Sequence, residues 1–155
     1  MQTYEGQLQA QGLKITIIAA RFNQLITQPL VDGAINCIVR NGGSEQDISV
    51  VWVPGAYELS FAAQQVGQTL RPDALICLGA VIRGATAHFD YVAGAAANGI
   101  GQASISLQLP VIFGVLTTDT IEQAFERAGT KAGNKGWDAA MSAIEMANLV
   151  RKLKG

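Results

Sequence analysis

The chain has 155 residues, a length that favours a single domain able to bury about two thirds of its unfolded surface. Charged residues make up 15% and hydrophobic ones 49%, against a charged share of roughly 25% in a typical soluble domain. A net charge of -1 and 6% aromatics argue against a nucleic-acid footprint or a base-stacking platform, and the low charge implies surface hidden in a homo-oligomer.

Tyr4 to Leu8 reads as an extra edge strand or an arm that reaches a neighbour. Met1 to Gly6 lacks the basic region and apolar run of a signal peptide, so the expected location is cytoplasmic. Ile15 to Ala20 is the first predicted strand, and Val31 to Val39 a helix ended by Asn41-Gly42-Gly43. Ile48 to Val53 is the second strand, stopped by Pro54-Gly55. Tyr57 to Leu70 has helical spacing, with Leu59, Ala63 and Val66 on one face. Ala74 to Ile82 is an uncharged third strand, Phe89 to Leu107 a long helix and Val111 to Leu116 the fourth strand. Asp119 is the expected N-cap of a helix from Ile121 to Ala128, and Trp137 to Leu153 is the last helix.

Alternating strands and helices predict a flavodoxin-like α/β three-layer sandwich: a central four-stranded parallel sheet with helices on both faces, joined by right-handed crossovers. No linker or repeat divides residues 1–155, so one domain is expected. Tyr91 to Thr118 carries no charge, but polar side chains interrupt it and Pro110 splits it, which rules out a membrane span. Cys37 and Cys77 fall in a predicted helix and a predicted strand and read as buried free thiols. Glycines 94, 99 and 101 lie within the long helix. Each costs roughly 0.8–1.0 kcal/mol relative to alanine, so they are expected to mark close approach of another backbone, within the fold or between subunits.

His88, the single histidine, follows the third strand, where open α/β sheets bind ligands. Gly79, Gly84 and Thr86 nearly spell the phosphate loop GxxxxGK[ST], but Ala85 stands where the lysine belongs. Such a turn can cradle one small phosphate if a cation comes from elsewhere, with Arg127, Lys131 and Lys135 as candidates. A glycine-capped helix end beside a core histidine is the plainer alternative, and residue types alone do not decide between them. One histidine and no paired thiols leave no ligand set for a metal.

Arg21-Phe22-Asn23, Pro54-Gly55-Ala56-Tyr57-Glu58-Leu59, Gly79 to Val92 and Gly114 to Gly136 together resemble the successive motifs of lumazine synthases. Ser60 departs from the usual proline of that family, and Tyr57 from a frequent phenylalanine. The resemblance implies condensation of 5-amino-6-(D-ribitylamino)uracil with 3,4-dihydroxy-2-butanone 4-phosphate to 6,7-dimethyl-8-ribityllumazine, phosphate and water, without a cofactor. By position it implies that Phe22 stacks on the pyrimidine, and that Ala56, Tyr57 and Glu58 hold the ribityl chain beside Ala80, Val81 and Ile82. It further implies that Ala85, Thr86 and Arg127 bind phosphate and that His88 transfers protons. Phe113, Arg127 and Lys135 would come from an adjacent subunit. The resemblance also implies a pentamer. The ungapped Gly133-Asn134-Lys135-Gly136 favours twelve pentamers in an icosahedral 60-mer, and leaves open an enclosed riboflavin synthase.

Overall fold

The computed structural model describes residues 1–155. In chain order it runs β1 (Ile15–Ala20), α1 (Gln24–Arg40), β2 (Ile48–Val53), α2 (Leu59–Leu70), β3 (Ala74–Ile82), α3 (His88–Leu107), β4 (Val111–Thr118), α4 (Ile121–Glu126) and α5 (Lys135–Lys154). The sheet is wholly parallel, in the order β2-β1-β3-β4, with Ile15 opposite both Ile48 and Ala74, and Leu75 opposite Val111. This is the three-layer flavodoxin-like sandwich that the alternation of elements predicts.

β1 and β3 are nearly continuous runs of Ile, Leu, Ala and Val because helices cover both of their faces. On one face Ile15, Ile17, Ile76 and Leu78 pack with Leu30, Ala34 and Ile38 of α1 and Ala140 and Ile144 of α5. On the other, Ile18, Leu75, Cys77 and Val115 pack with Leu59 and Ala63 of α2 and Ala96 and Ile100 of α3. Trp52 and Trp137 lean on the first cluster, half-buried. Both thiols are buried and unpaired. No helix is long and apolar enough to cross a membrane.

The helix ends differ from the sequence reading for identifiable reasons. α1 begins at Gln24 rather than Val31 and carries Pro29 inside it. A proline within a helix removes one N–H and strips the carbonyl four residues back. Here that carbonyl belongs to Leu25, an exposed residue of the first turn. Thr120, not Asp119, caps α4: its Oγ1 accepts from Gln123 N–H at 3.1 Å, while Gln123 Oε1 accepts from the N–H groups of Thr120 and Asp119. The pair forms a capping box, which frees the Asp119 carboxylate for another partner. Tyr57 and Glu58 lie in a short 3-10 turn, Ala56–Glu58, so α2 starts at Leu59. α5 starts at Lys135, capped by Asn134, whose Oδ1 accepts from Trp137 N–H at 3.1 Å.

Residues 1–14 form no strand. They run along α5, held by Asn148 Nδ2, which donates to the carbonyls of Gln7 and Gln9, and by close seating of Gly6 against Glu145 and Leu149. Of the three glycines in α3, one is explained inside the chain. A Cβ at Gly99 would stand 2.5 Å from Ser60 Cβ on α2, whereas Gly94 and Gly101 face open space.

Candidate functional site

In the order β2-β1-β3-β4 the connections run outward in opposite directions from β1 and β3, so a crevice opens beyond their carboxyl ends. A cleft of about 550 Å³ occupies that place. β1 contributes Phe22 and Asn23, and the turn after β2 contributes Pro54 to Glu58. Ala80, Val81 and Ile82 of β3 form the floor, and His88, Val92 and Ile121 close the far side.

Local structure fixes each contributor. Backbone pairing continues past the strands: the N–H of Arg21 donates to Val53 O at 2.7 Å and that of Phe22 to Pro54 O at 2.9 Å. Asn23 adopts the left-handed conformation, φ 64, which asparagine tolerates better than most residues. Its Nδ2 donates to Ala80 O at 3.0 Å, tying the end of β1 to the cleft floor. Beside this anchor Phe22 is left 71% exposed, and across the cleft Tyr57 is 62% exposed. Fully burying a large apolar side chain is worth roughly 1.5–3 kcal/mol, so the two uncovered aromatics leave apolar area at the rim on which a ligand or partner can gain by packing.

The turn from β3 to α3, residues 83–87, is exposed throughout. α3 begins without a side-chain cap, because Ala87 occupies the cap position. His88 N–H meets Thr86 Oγ1 at 3.4 Å and the N–H groups of Asp90 and Tyr91 donate to Ala87 O at 3.1 and 3.4 Å, which leaves the Phe89 amide of the first turn available to water or an anion. His88 and Val92, four residues apart, share the helix face that looks into the cleft. Arg83, at the root of the turn, donates from Nε to Asp119 Oδ1 at 3.0 Å and stands 3.7 Å from Asp90 Oδ1.

Eight of the sequence-derived site residues therefore meet in one cleft: Phe22, Ala56, Tyr57, Glu58, Ala80, Val81, Ile82 and His88. Ala85 and Thr86 stand on its adjoining turn. Phe113, Arg127 and Lys135 do not line it. Phe113 is on edge strand β4, partly exposed. Exposed Arg127 follows α4, and its carbonyl accepts from Lys135 N–H at 2.8 Å. No lysine or arginine lines the cleft. Asn23, Pro54, Gly55, Val92 and Ile121 line it too and were not among the expected site residues. Asn23 sits inside a quoted motif, but its left-handed backbone leaves no trace in residue type. Val92 and Ile121 also lie within quoted motifs, on predicted helices, but were assigned no role there.

The thiols take no part. Burial pushes Cys77 up to about 12 and Cys37 up to about 11, so neither is a thiolate near neutrality. No three His, Cys, Asp or Glu side chains gather to hold a metal ion. A family model for 6,7-dimethyl-8-ribityllumazine synthase matches residues 12–151, almost the whole fold and every element that shapes the cleft. The chain belongs to the 6,7-dimethyl-8-ribityllumazine synthase family, transferases that catalyse the step of riboflavin biosynthesis forming dimethylribityllumazine.

Proposed function

We propose that the cleft beyond β1 and β3 is the site of this condensation and that a second copy of the chain completes it. The observation that carries the reading is an asymmetry. One chain supplies a histidine, a carboxylate, an apolar floor and two uncovered aromatics, but no cation for a phosphorylated substrate. Arg127, Lys135 and Phe113 lie outside that cleft, where they can serve a neighbour's.

In this reading the pyrimidine of 5-amino-6-(D-ribitylamino)uracil stacks on Phe22 above Ala80, Val81 and Ile82. Ala56, Tyr57 and Glu58 hold the ribityl chain, with the Glu58 carboxylate accepting from its hydroxyls. The phosphate of 3,4-dihydroxy-2-butanone 4-phosphate rests on the amides of Ala85 and Thr86 and is neutralised by the adjacent copy's Arg127, with Lys135 nearby. The primary amine attacks the ketone and the adduct loses water to an imine. Phosphate then leaves, and the second amine closes the ring with loss of another water. Each step moves a proton, and His88 beside the reacting carbons is the group suited to carry it. Holding two substrates in register supplies the rest of the acceleration. No metal or cofactor is called on.

The assembly in this reading is a cytoplasmic pentamer, twelve of which build an icosahedral 60-mer through the ungapped Gly133 to Gly136 segment. Mixing tests the shared site. His88→Ala and Arg127→Ala subunits, each nearly inactive alone, should regain a fraction of wild-type lumazine formation when dissociated and reassembled together. Failure to complement, in mixtures shown to be mixed oligomers, overturns the shared site. Undetectable turnover by wild-type protein with both substrates overturns the catalytic reading. Light scattering separates pentamer from 60-mer.

A further inference from the structure

We infer that Arg83 is a positioning residue that sets the orientation of the 84–87 turn and of His88, an inference that rests on the proposed phosphate role of that turn. Arg83 joins three elements. Its N–H donates to Thr118 O at 2.9 Å, its Nε to Asp119 Oδ1 at 3.0 Å, and its Nη1 stands 3.7 Å from Asp90 Oδ1 in the first turn of α3. The guanidinium also lies over the ring of Phe89, 4.3 Å from its centroid.

The residues beyond Arg83 have little else to hold them. Gly84 has open space where a side chain would stand, the side chains of Ala85 and Ala87 offer no polar group, and Thr86 Oγ1 meets only the neighbouring His88 N–H, so that before Ala87 O, which accepts from Asp90 and Tyr91 N–H, the turn is tied down at Arg83. Asp119, in contrast, is presented from a stiff turn, because its N–H donates to Gln123 Oε1 and Thr118 Oγ1 donates to Thr120 O. The partners are well exposed, with side-chain exposures of 48% for Arg83, 66% for Asp90 and 70% for Asp119. Exposed pairs of this kind add little to stability. A planar fork that stacks on a ring while meeting two carboxylates does fix geometry, and a lysine cannot reproduce it. Two carboxylates also neutralise the Arg83 charge, so it orients the anion cradle without gripping the anion. Asp90, which would otherwise compete for the positive end of α3, faces Arg83 instead.

The test is steady-state kinetics of Arg83→Gln and Arg83→Lys on the intact oligomer, with inorganic phosphate as a competitive probe and Arg127→Ala as control. For both Arg83 variants the KM for the phosphate substrate and the Ki of inorganic phosphate should rise about tenfold and kcat should fall. That is within the ~100-fold that a misplacement of about 1 Å can cost. The KM for the pyrimidine should stay within about twofold and Tm within about 3 °C. Unchanged phosphate parameters in Arg83→Gln, with Arg127→Ala weakened, overturn the role of Arg83 alone. Indifference of both variants to phosphate overturns the phosphate reading with it. Restoration by lysine would reduce Arg83 to a point charge, and equal losses on both substrates with a collapse in Tm would make it merely structural; either overturns the inference.

Discussion

Gly136→Ala sets two effects of known size against each other. Alanine is the better helix former by roughly 0.8–1.0 kcal/mol in a helix interior, and less than that at the second position of α5. Against this, α5 is docked on α1 at Gly136. A Cβ there would stand 2.6 Å from the carbonyl carbon of Leu30 and 2.9 Å from its Cα, and closer still to its oxygen. Carbon atoms in ordinary contact stand about 3.5–4.0 Å apart, so the two helices must part by about 1 Å. Both sides of the collision are backbone, so no side chain can swing away. A gap of that size forfeits a quarter to a half of the dispersion attraction at the contact, and overpacking typically costs about 1–3 kcal/mol. The collision outweighs the propensity gain, leaving a net loss of about 2 kcal/mol. For a chain of this length that is a fall in Tm of about 4–8 °C. The same displacement drags the start of α5, where Asn134 Nδ2 donates to Pro29 O at 3.0 Å and Lys135 N–H donates to Arg127 O at 2.8 Å. The KM for the phosphate substrate should therefore rise as well. Far-UV circular dichroism melts at matched protein concentration measure the first effect. A variant that melts at or above wild type refutes the close seating of α5 on α1.

Asn23→Ala should cost more than Asn23→Gly: both lose the hydrogen bond to Ala80 O, worth about 1 kcal/mol, but only alanine adds about 1–2 kcal/mol of left-handed strain. Equal denaturant midpoints for the two would show that the left-handed backbone is not held in solution. Because burial raises the Cys37 and Cys77 thiols to about 11 and 12, they remain neutral in the fold while unfolded thiols ionise near 9. Their contribution to stability is full below about pH 9 and is lost as pH rises through 11 to 12. At pH 8 iodoacetamide should label neither thiol in native protein and both in urea, and rapid native labelling of either contradicts their burial. Tyr91, Gly94, Asn98, Gly101 and Ile105 recur at helical spacing on α3, with Tyr91 75% and Ile105 67% exposed. If this face meets another subunit, Gly101→Leu shifts light scattering to smaller species; an unchanged oligomer refutes the assignment.

The strands were legible because burial on both faces leaves little choice of residue. Ile15–Ala20 and Ala74–Ile82 are almost wholly apolar, and their boundaries match the reading. Helix ends were less legible because they depend on hydrogen bonds between particular side chains and backbone groups. Asp119 and Thr120 are both good caps, and what distinguishes Thr120 is the capping box it closes with Gln123, which leaves the Asp119 carboxylate to Arg83 across the fold. α1 begins at Gln24, ahead of the expected Val31, and tolerates Pro29 because the carbonyl that proline strips belongs to Leu25, an exposed residue. The same division separates the site residues. Those near the ends of β1, β2 and β3 converge because parallel topology brings strand ends to one rim, so sequence order alone places Phe22, Glu58, Ala80 and His88 together. Phe113, Arg127 and Lys135 answer to no such rule. Their absence from the cleft leaves it without a cation, and it is on this absence that the proposed sharing of the site between two copies rests.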